Sequence, residues 1–305
     1  MRLATYISDG RPRLGVVSGL AIFDLEGGFA RILGRSGPGS MIELIEGGEA
    51  IRWDVDAVLA AGGQESGHGD LWHDIAKVRL LAPIPEPRKN VFCVGRNYKL
   101  HIEEGARARG ATPAYPAIPE FFTKSPTSVI GHEGEIRLDT GVTQKLDYEV
   151  ELAFVIGRRC RDVPAAKAAD VIFGYTVLND VTARDLQFAH GQWFKGKSLD
   201  TYCPVGPVIV TADEFGSPAG HALSLRVNGE LRQSSSTDDM LFDCAAIVES
   251  LSAGMTLEPG DIVTTGTPSG VGLGLSPQVW LKDGDVVEAE IAGIGVLRNL
   301  VRQVQ

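Results

Sequence analysis

Cysteine is scarce and scattered in this chain. Cys93, Cys160, Cys203 and Cys244 stand far apart and form no CxxC pair. Neither a zinc site nor a disulfide framework is therefore expected, and the chain reads as a reduced, cytosolic protein. No block of Lys or Arg occurs. The 39 acidic residues outnumber the 29 basic ones, for a net charge of −10. That balance argues against nucleic acid and against an anionic membrane surface as partners. No apolar run approaches the length of a membrane span. The amino terminus meets charge too soon for a signal peptide. No GxSxG string is present, which disfavours a serine hydrolase. Internal repeats and low-complexity tracts are also missing.

What is present is enough for a large core: 305 residues, 44% of them hydrophobic. Residues 2–8, 13–18 and 20–25 suggest an antiparallel meander with turns at Asp9-Gly10 and Gly27-Gly28. Short helices are expected at 41–46 and 54–61, and loops at 34–40 and 62–69. Three prolines in Pro83-Ile-Pro-Glu-Pro87 can continue neither helix nor central strand, so a domain boundary is placed there. The expected division is a small N-terminal α+β domain, 1–85, and a β-rich domain, 86–305.

In the second region strands are expected at 91–94, 121–123, 148–156 and 171–178. Helical segments are expected at 98–109 and 183–189. Asn228-Gly229 suits a type I′ turn between strands at 223–227 and 230–233. An amphipathic helix is expected over Met240–Ala253, ended by Gly254. Strands outnumber helices and do not alternate with them regularly. The fold class is therefore α+β and β-rich, not a Rossmann or barrel fold.

Glu149 and Glu151 carry the strongest chemical signal. They sit in Leu146-Asp-Tyr-Glu-Val-Glu-Leu-Ala-Phe-Val-Ile156, whose composition predicts a strand. Side chains alternate along a strand, so both glutamates share one face, opposite Val150, Leu152 and Phe154. Two like charges that close repel unless a cation or proton lies between them. A hard divalent cation is one remedy. A solvated edge strand is the plain alternative. Asp180, at the end of an apolar strand, is either a turn residue or a third oxygen ligand. Three carboxylates plus waters suit Mg²⁺ or Mn²⁺.

Other candidates are individually weaker. His101 and Glu104 lie three apart on a helix and share a face. They read either as an ordinary polar surface or as a dyad that activates water. Lys197 follows Gly196 in an expected loop, where it either meets solvent or approaches a bound anion. Gly266-Thr267-Pro268-Ser269-Gly270 is a tight loop able to present N–H groups and the Thr267 hydroxyl to a carboxylate, or simply a turn. Gly191-Gln-Trp-Phe-Lys-Gly-Lys-Ser198 matches the phosphate-loop pattern by letter. It lacks the preceding strand and following helix that such a loop requires, and is rejected. Trp193, Phe194 and Tyr202 either shape a pocket or only pack.

Together these strings resemble the fumarylacetoacetate hydrolase family. The matching segments are Val94-Gly-Arg-Asn-Tyr98 with His101 and Glu104, Asp147-Tyr-Glu-Val-Glu151 and Asn179-Asp-Val-Thr-Ala-Arg-Asp-Leu-Gln187. Gly196-Lys-Ser198, Val227-Asn-Gly-Glu230 and Gly260-Asp-Ile-Val-Thr-Thr-Gly-Thr-Pro-Ser-Gly-Val-Gly272 complete the set, in the family's order. The resemblance implies a mixed β-roll catalytic domain and a homodimer. It implies Glu149, Glu151 and Asp180 as ligands of Mg²⁺ or Mn²⁺. His101 and Glu104 become the catalytic dyad on a lid, and Lys197 a catalytic charge on the substrate. Arg184, Gln187 and Thr267 become substrate-binding residues. Many relatives read Phe-x-Lys-Pro where this chain has Phe122-Thr-Lys-Ser-Pro126, which weakens Lys124 as a substrate-site candidate. The implied substrate is a small 2-oxo acid cleaved through an enolate. Hydrolysis of an acylpyruvate is the leading expectation and oxaloacetate decarboxylation the runner-up. Isomerisation or hydration of related oxo acids is within reach of the same site, and a non-catalytic binding scaffold is the alternative of another class.

Overall fold

The computed structural model describes residues 1–63 and 67–304. Part of the expected 62–69 loop, residues 64–66, therefore lies outside the described residues. Ten strands form the path of one large mixed sheet. They are β1 (Arg2–Ser8), β2 (Arg11–Ser18), β3 (Ala21–Asp24), β4 (Trp72–Asp74), β5 (Val91–Gly95), β6 (Glu120–Lys124), β7 (Val150–Ile156), β8 (Ile172–Asn179), β9 (Cys203–Thr211) and β10 (Ile262–Thr264). Their order across the sheet is β4-β3-β2-β1-β9-β8-β7-β10-β5-β6. The N-terminal meander and the strands beyond the proline-rich segment therefore share one sheet, joined where β1 pairs antiparallel with β9. A five-stranded sheet packs against it, built from residues 230–236, 222–227, 286–291, 295–304 and 135–139 in that order.

The strand β7 lies deep in this arrangement, and every one of its residues is buried. Val150, Leu152, Phe154 and Ile156 enter one apolar cluster, with Leu225 and Ala289 of the smaller sheet. Ala153 and Val155 enter a second cluster, with Leu3, Phe23 and Ile45 of the N-terminal region. A strand buried on both faces explains a run more continuously apolar than simple alternation would give.

Several element boundaries differ from expectation. The strand predicted from Tyr148 begins its ladder at Val150. Side chains take over the backbone donors there: Asn179 Oδ1 accepts from Glu149 N at 2.9 Å, and Gln233 Oε1 accepts from Val150 N at 2.9 Å. The helix predicted over 240–253 spans only Cys244–Ser252. Asp243 caps it through Ala246 N at 2.8 Å, while Leu241 N donates to Asn97 O at 2.8 Å and is drawn away from the helix. The helix predicted at 54–61 starts earlier, at Gly48. The Asn228-Gly229 turn has positive φ at both residues, as a type I′ hairpin requires.

Candidate active site

Strand register builds the centre of the site. In the antiparallel β7–β8 pair, Glu151 faces Leu178 and Val150 faces Asn179. One step further, Asp180 N donates to Glu149 O at 2.8 Å. Cross-strand partners lie on the same face, so Glu149, Glu151 and Asp180 converge. One carboxylate oxygen from each falls within 4.8 Å of the others, and all three residues are buried.

Cations surround this cluster. Lys197 Nζ lies 2.9 Å from Glu149 Oε2 and 2.5 Å from Asp180 Oδ2. Lys124 Nζ lies 2.5 Å from Asp180 Oδ1 and donates to Val181 O at 3.1 Å. Arg184 pairs with Asp147 at 2.8 Å and Glu149 at 2.6 Å. Lys197 does not sit in an open loop as expected. It ends a one-turn helix, Phe194–Lys197, and is buried, with its ammonium 5.0 Å above the Phe122 ring. The segment before it is the helix Arg184–Ala189, so no strand feeds the letter-perfect phosphate-loop string.

Glu151 differs from its neighbours. Gly266 N donates to its Oε2 at 3.0 Å, yet no cation pairs with it among the described residues. Burial, then the charges of Asp180 and Glu149, raise its pKa well above the ordinary carboxylate range. Burial pushes Glu149 the same way, but Lys197 and Arg184 overcome it and hold that pKa at about 2. For Lys197, burial favours the neutral amine, but Asp180 and Glu149 outweigh it and raise the pKa above the ordinary lysine value. Both ion pairs therefore favour the ammonium form of Lys197.

A charge count tests whether a divalent cation fits. Asp147, Glu149, Glu151 and Asp180 supply four buried carboxylates; Lys124, Arg184 and Lys197 supply three buried cations. With all four ionised the cluster would carry one uncompensated negative charge, on or beside Glu151, and in the metal-free protein a proton on Glu151 offsets it. Buried charges are tolerated only when compensated. A divalent cation would remove the deficit and leave one positive charge for an anionic substrate. The oxygen-only donor set suits Mg²⁺ or Mn²⁺.

A cavity of about 560 Å³ opens above the cluster. Glu149, Glu151, Arg184, Gln187, Lys197 and Thr267 reach its wall, as does His101. His101 projects from α1 (Lys99–Ala108). Its Nδ1 lies 3.4 Å from Glu104 Oε2, and Gly270 N anchors the other Glu104 oxygen at 2.9 Å. Gln187 Oε1 accepts from Arg184 Nη1 at 3.2 Å. The Thr267 hydroxyl, expected to face a substrate carboxylate, instead donates to Val150 O at 2.9 Å and accepts from Gln233 Nε2 at 2.8 Å. Lys124 and Asp180 lie behind the cavity wall, at 0% exposure. Trp193 lines the cavity and Tyr202 is packed in the core.

Three supporting residues escaped the sequence reading. Asp147 accepts from Gly272 N at 2.7 Å and Leu273 N at 3.0 Å while holding Arg184. Asn97 ties the start of α1 to Thr265 O and Phe242. Gln233 bridges Val150 to the Thr267 loop. Asp147 and Asn97 fall inside matched strings; nothing marked Gln233.

Residues 90–302 match the fumarylacetoacetate (FAA) hydrolase C-terminal family. The chain is 46% identical over 266 residues to oxaloacetate tautomerase YisK of Bacillus subtilis, covering 87% of each chain. It is 40% identical over 266 residues to the mitochondrial oxaloacetate tautomerase FAHD2B of Bos taurus, covering 87% of this chain and 80% of that one. Among solved structures, a fumarylacetoacetate hydrolase from psychrophilic Exiguobacterium antarcticum superposes with a TM-score of 0.80 at 42% identity over the whole of both chains. Maleylpyruvate hydrolase from Sphingobium sp. SYK-6, in complex with manganese (II) ion and pyruvate, does so at 0.76 and 33%, again over the whole of both chains.

Proposed function

The chain belongs to the fumarylacetoacetate hydrolase family, and from that premise we propose that it interconverts the keto and enol forms of oxaloacetate or a close 2-oxo dicarboxylate, with Mg²⁺ or Mn²⁺ at Glu149, Glu151 and Asp180. The observation that carries the proposal is the buried, charge-deficient carboxylate cluster opening into a cavity that His101 overlooks. The relatives named as oxaloacetate tautomerases support proton transfer over the bond cleavage that the sequence led us to expect. We include a homodimer in the proposal, to be checked by light scattering. No helix among the described residues is long and apolar enough to cross a membrane.

The chemistry needs little beyond what these side chains supply. A divalent cation held by Glu149, Glu151 and Asp180 would supply Lewis acidity to the substrate. Lys197 remains an ammonium and holds the charge that develops on O2 when the C3–H bond breaks. His101, oriented by Glu104, accepts the C3 proton as its electron pair forms the C2=C3 bond. O2 gains a proton from solvent, and reversal of these steps restores the ketone. Arg184 helps keep Glu149 ionised, and Lys124 holds Asp180 in place. Tautomerisation leaves the carbon skeleton intact, so no attacking water is required.

A second reading rests on the same dyad. The anchored His101–Glu104 pair could instead activate water for hydrolytic cleavage of an acylpyruvate, a reaction type the maleylpyruvate hydrolase neighbour brings to mind. Enol oxaloacetate, dissolved fresh and followed by its ultraviolet absorbance, separates these readings. We expect decay above the rate with metal alone, lost on chelation. No acceleration, together with acetate and pyruvate from acetylpyruvate, would overturn tautomerisation in favour of hydrolysis. Pyruvate released from oxaloacetate above the metal background would favour decarboxylation.

A further inference from the structure

The cations around the cavity are unequally engaged. Lys197 and Arg184 are consumed by the carboxylates at its inner end. Arg96 is held by Glu120, with Nε at 2.6 Å from one oxygen and Nη2 on the other. Arg109 also reaches the cavity wall, yet its guanidinium has neither ion pair nor hydrogen bond among the described residues. It follows the same helix, α1, that carries His101 and Glu104. Side chains on a helix lean toward its N-terminus, which returns Arg109 over the preceding turn, toward His101. Gly105 makes room for it: a Cβ there would stand 3.3 Å from Arg109 Nη1.

We infer that Arg109 recognises the distal carboxylate of a 2-oxo dicarboxylate and so sets the substrate's second charge. The inference rests on the proposed function and deepens it. With a divalent cation bound, the inner cluster has one positive charge to spare, enough for a single carboxylate or enolate. A second carboxylate needs a cation of its own, and Arg109 is the one on the wall that is uncommitted. Its planar fork suits a carboxylate better than the point charge of lysine. The side chain is exposed, so the effect is moderate and falls with ionic strength.

Malate and 2-hydroxybutyrate test this by calorimetry on the Mn²⁺-loaded protein. Both present a 2-hydroxy acid to the metal, neither reacts, and they differ by a distal carboxylate against a methyl group. The native protein should prefer malate. Arg109→Met should weaken malate binding by roughly tenfold, the scale of one charged contact at a wet rim, and leave 2-hydroxybutyrate unchanged. Arg109→Lys should restore part of the preference. Equal loss for both ligands, or no loss for malate, overturns the inference. A native protein that binds both acids equally overturns it too while sparing the 2-oxo acid reading. One that binds neither sinks both.

Discussion

The two faces of β7 begin differently and end alike. Val150, Leu152, Phe154 and Ile156 join an apolar cluster under the smaller sheet. On the other face Glu151 meets Asp180 and Glu149 before Ala153 and Val155 return to an apolar cluster. Both faces are buried, so exposure does not distinguish them. The contrast lies in what each face does with burial. One gains from removing methyl groups from water; the other concentrates charge where water cannot screen it, which makes each ion strong and each missing partner costly. A single strand thus ties a stabilising layer to a reactive one, separated only by side-chain alternation.

The sharpest break in that contrast comes from neutralising one charge at a time. Glu149→Gln and Glu151→Gln should each abolish activity, by a factor of about 10³ or more, and weaken Mn²⁺ binding measured by calorimetry. Their metal-free stabilities should diverge. Glu149 is paired with Lys197 and Arg184, so its loss strands cations and costs about 3–5 kcal/mol. Glu151 has no cation, and its neutral replacement should leave metal-free melting unchanged or raised. Equal destabilisation of the two variants in chelator would show that the charge deficit is not centred on Glu151.

Within the charged side, holding a cation and moving a proton should separate. His101→Asn should lower kcat for tautomerisation by about 10²–10⁴, the usual span for a lost general base, with Mn²⁺ affinity unchanged. An unaltered kcat would remove His101 from the proton path. The apolar face should respond in the opposite sense. Leu152 is fully buried, and Leu152→Ala should cost about 2–5 kcal/mol in urea unfolding. Its activity per folded molecule should stay within about twofold, since its side chain points away from the carboxylates. A large loss of kcat at full folding would mean that the two faces are mechanically coupled.

Proton competition sharpens the comparison further. Glu151 has a raised pKa in the folded, metal-free protein, from burial and then from Asp180 and Glu149. A raised carboxyl favours the protonated folded state, so its contribution to stability is present below the ordinary carboxylate range and is lost as pH rises through its folded value. Binding a cation must displace that proton. Metal affinity should therefore rise with pH, by up to about tenfold per unit for one proton, and the rise should be absent in Glu151→Gln. A pH-independent affinity in the native protein would contradict this.

Much of the site was legible because it depends on short spacings. Two glutamates at i and i+2 share a strand face, and His101 and Glu104 share a helix face, whatever the rest of the chain does. Asp180 was visible only as a strand end; its meeting with Glu149 depends on the β7–β8 register, which no local pattern states. Lys124 looked weak because of the serine inserted before its proline, yet its ammonium reaches Asp180 across the sheet. Thr267 is more committed than its loop position suggests: it lines the cavity, yet its hydroxyl already bonds Val150 O and Gln233 Nε2. The N-terminal meander was readable as strands from alternation and turns. Its merger with the large sheet through β1 and β9 was not, because that pairing joins residues about two hundred apart in sequence.

That merger supplies the smallest expected effect. Arg52 lies on the helix Gly48–Ala61 and pairs with Asp213, just after β9, so the contact spans the two sequence regions. The hydrogen bond from Arg52 lowers the Asp213 pKa against the opposing effect of burial. A depressed carboxylate stabilises above its unfolded value, and that contribution fades as pH falls through the folded value. Both side chains are more than 40% exposed, however, so solvent and salt screen most of the attraction. Arg52→Ala should cost no more than about 1 kcal/mol at neutral pH, with activity unchanged, and the difference from the native protein should shrink in acid and in high salt. The same kind of ion pair that costs several kcal/mol to break beside Glu149 should thus be nearly silent here. A loss comparable to that of Glu149→Gln would mean that the N-terminal region is held to the large sheet by this contact, and not by the apolar cluster of Leu3, Phe23 and Ile45 behind it.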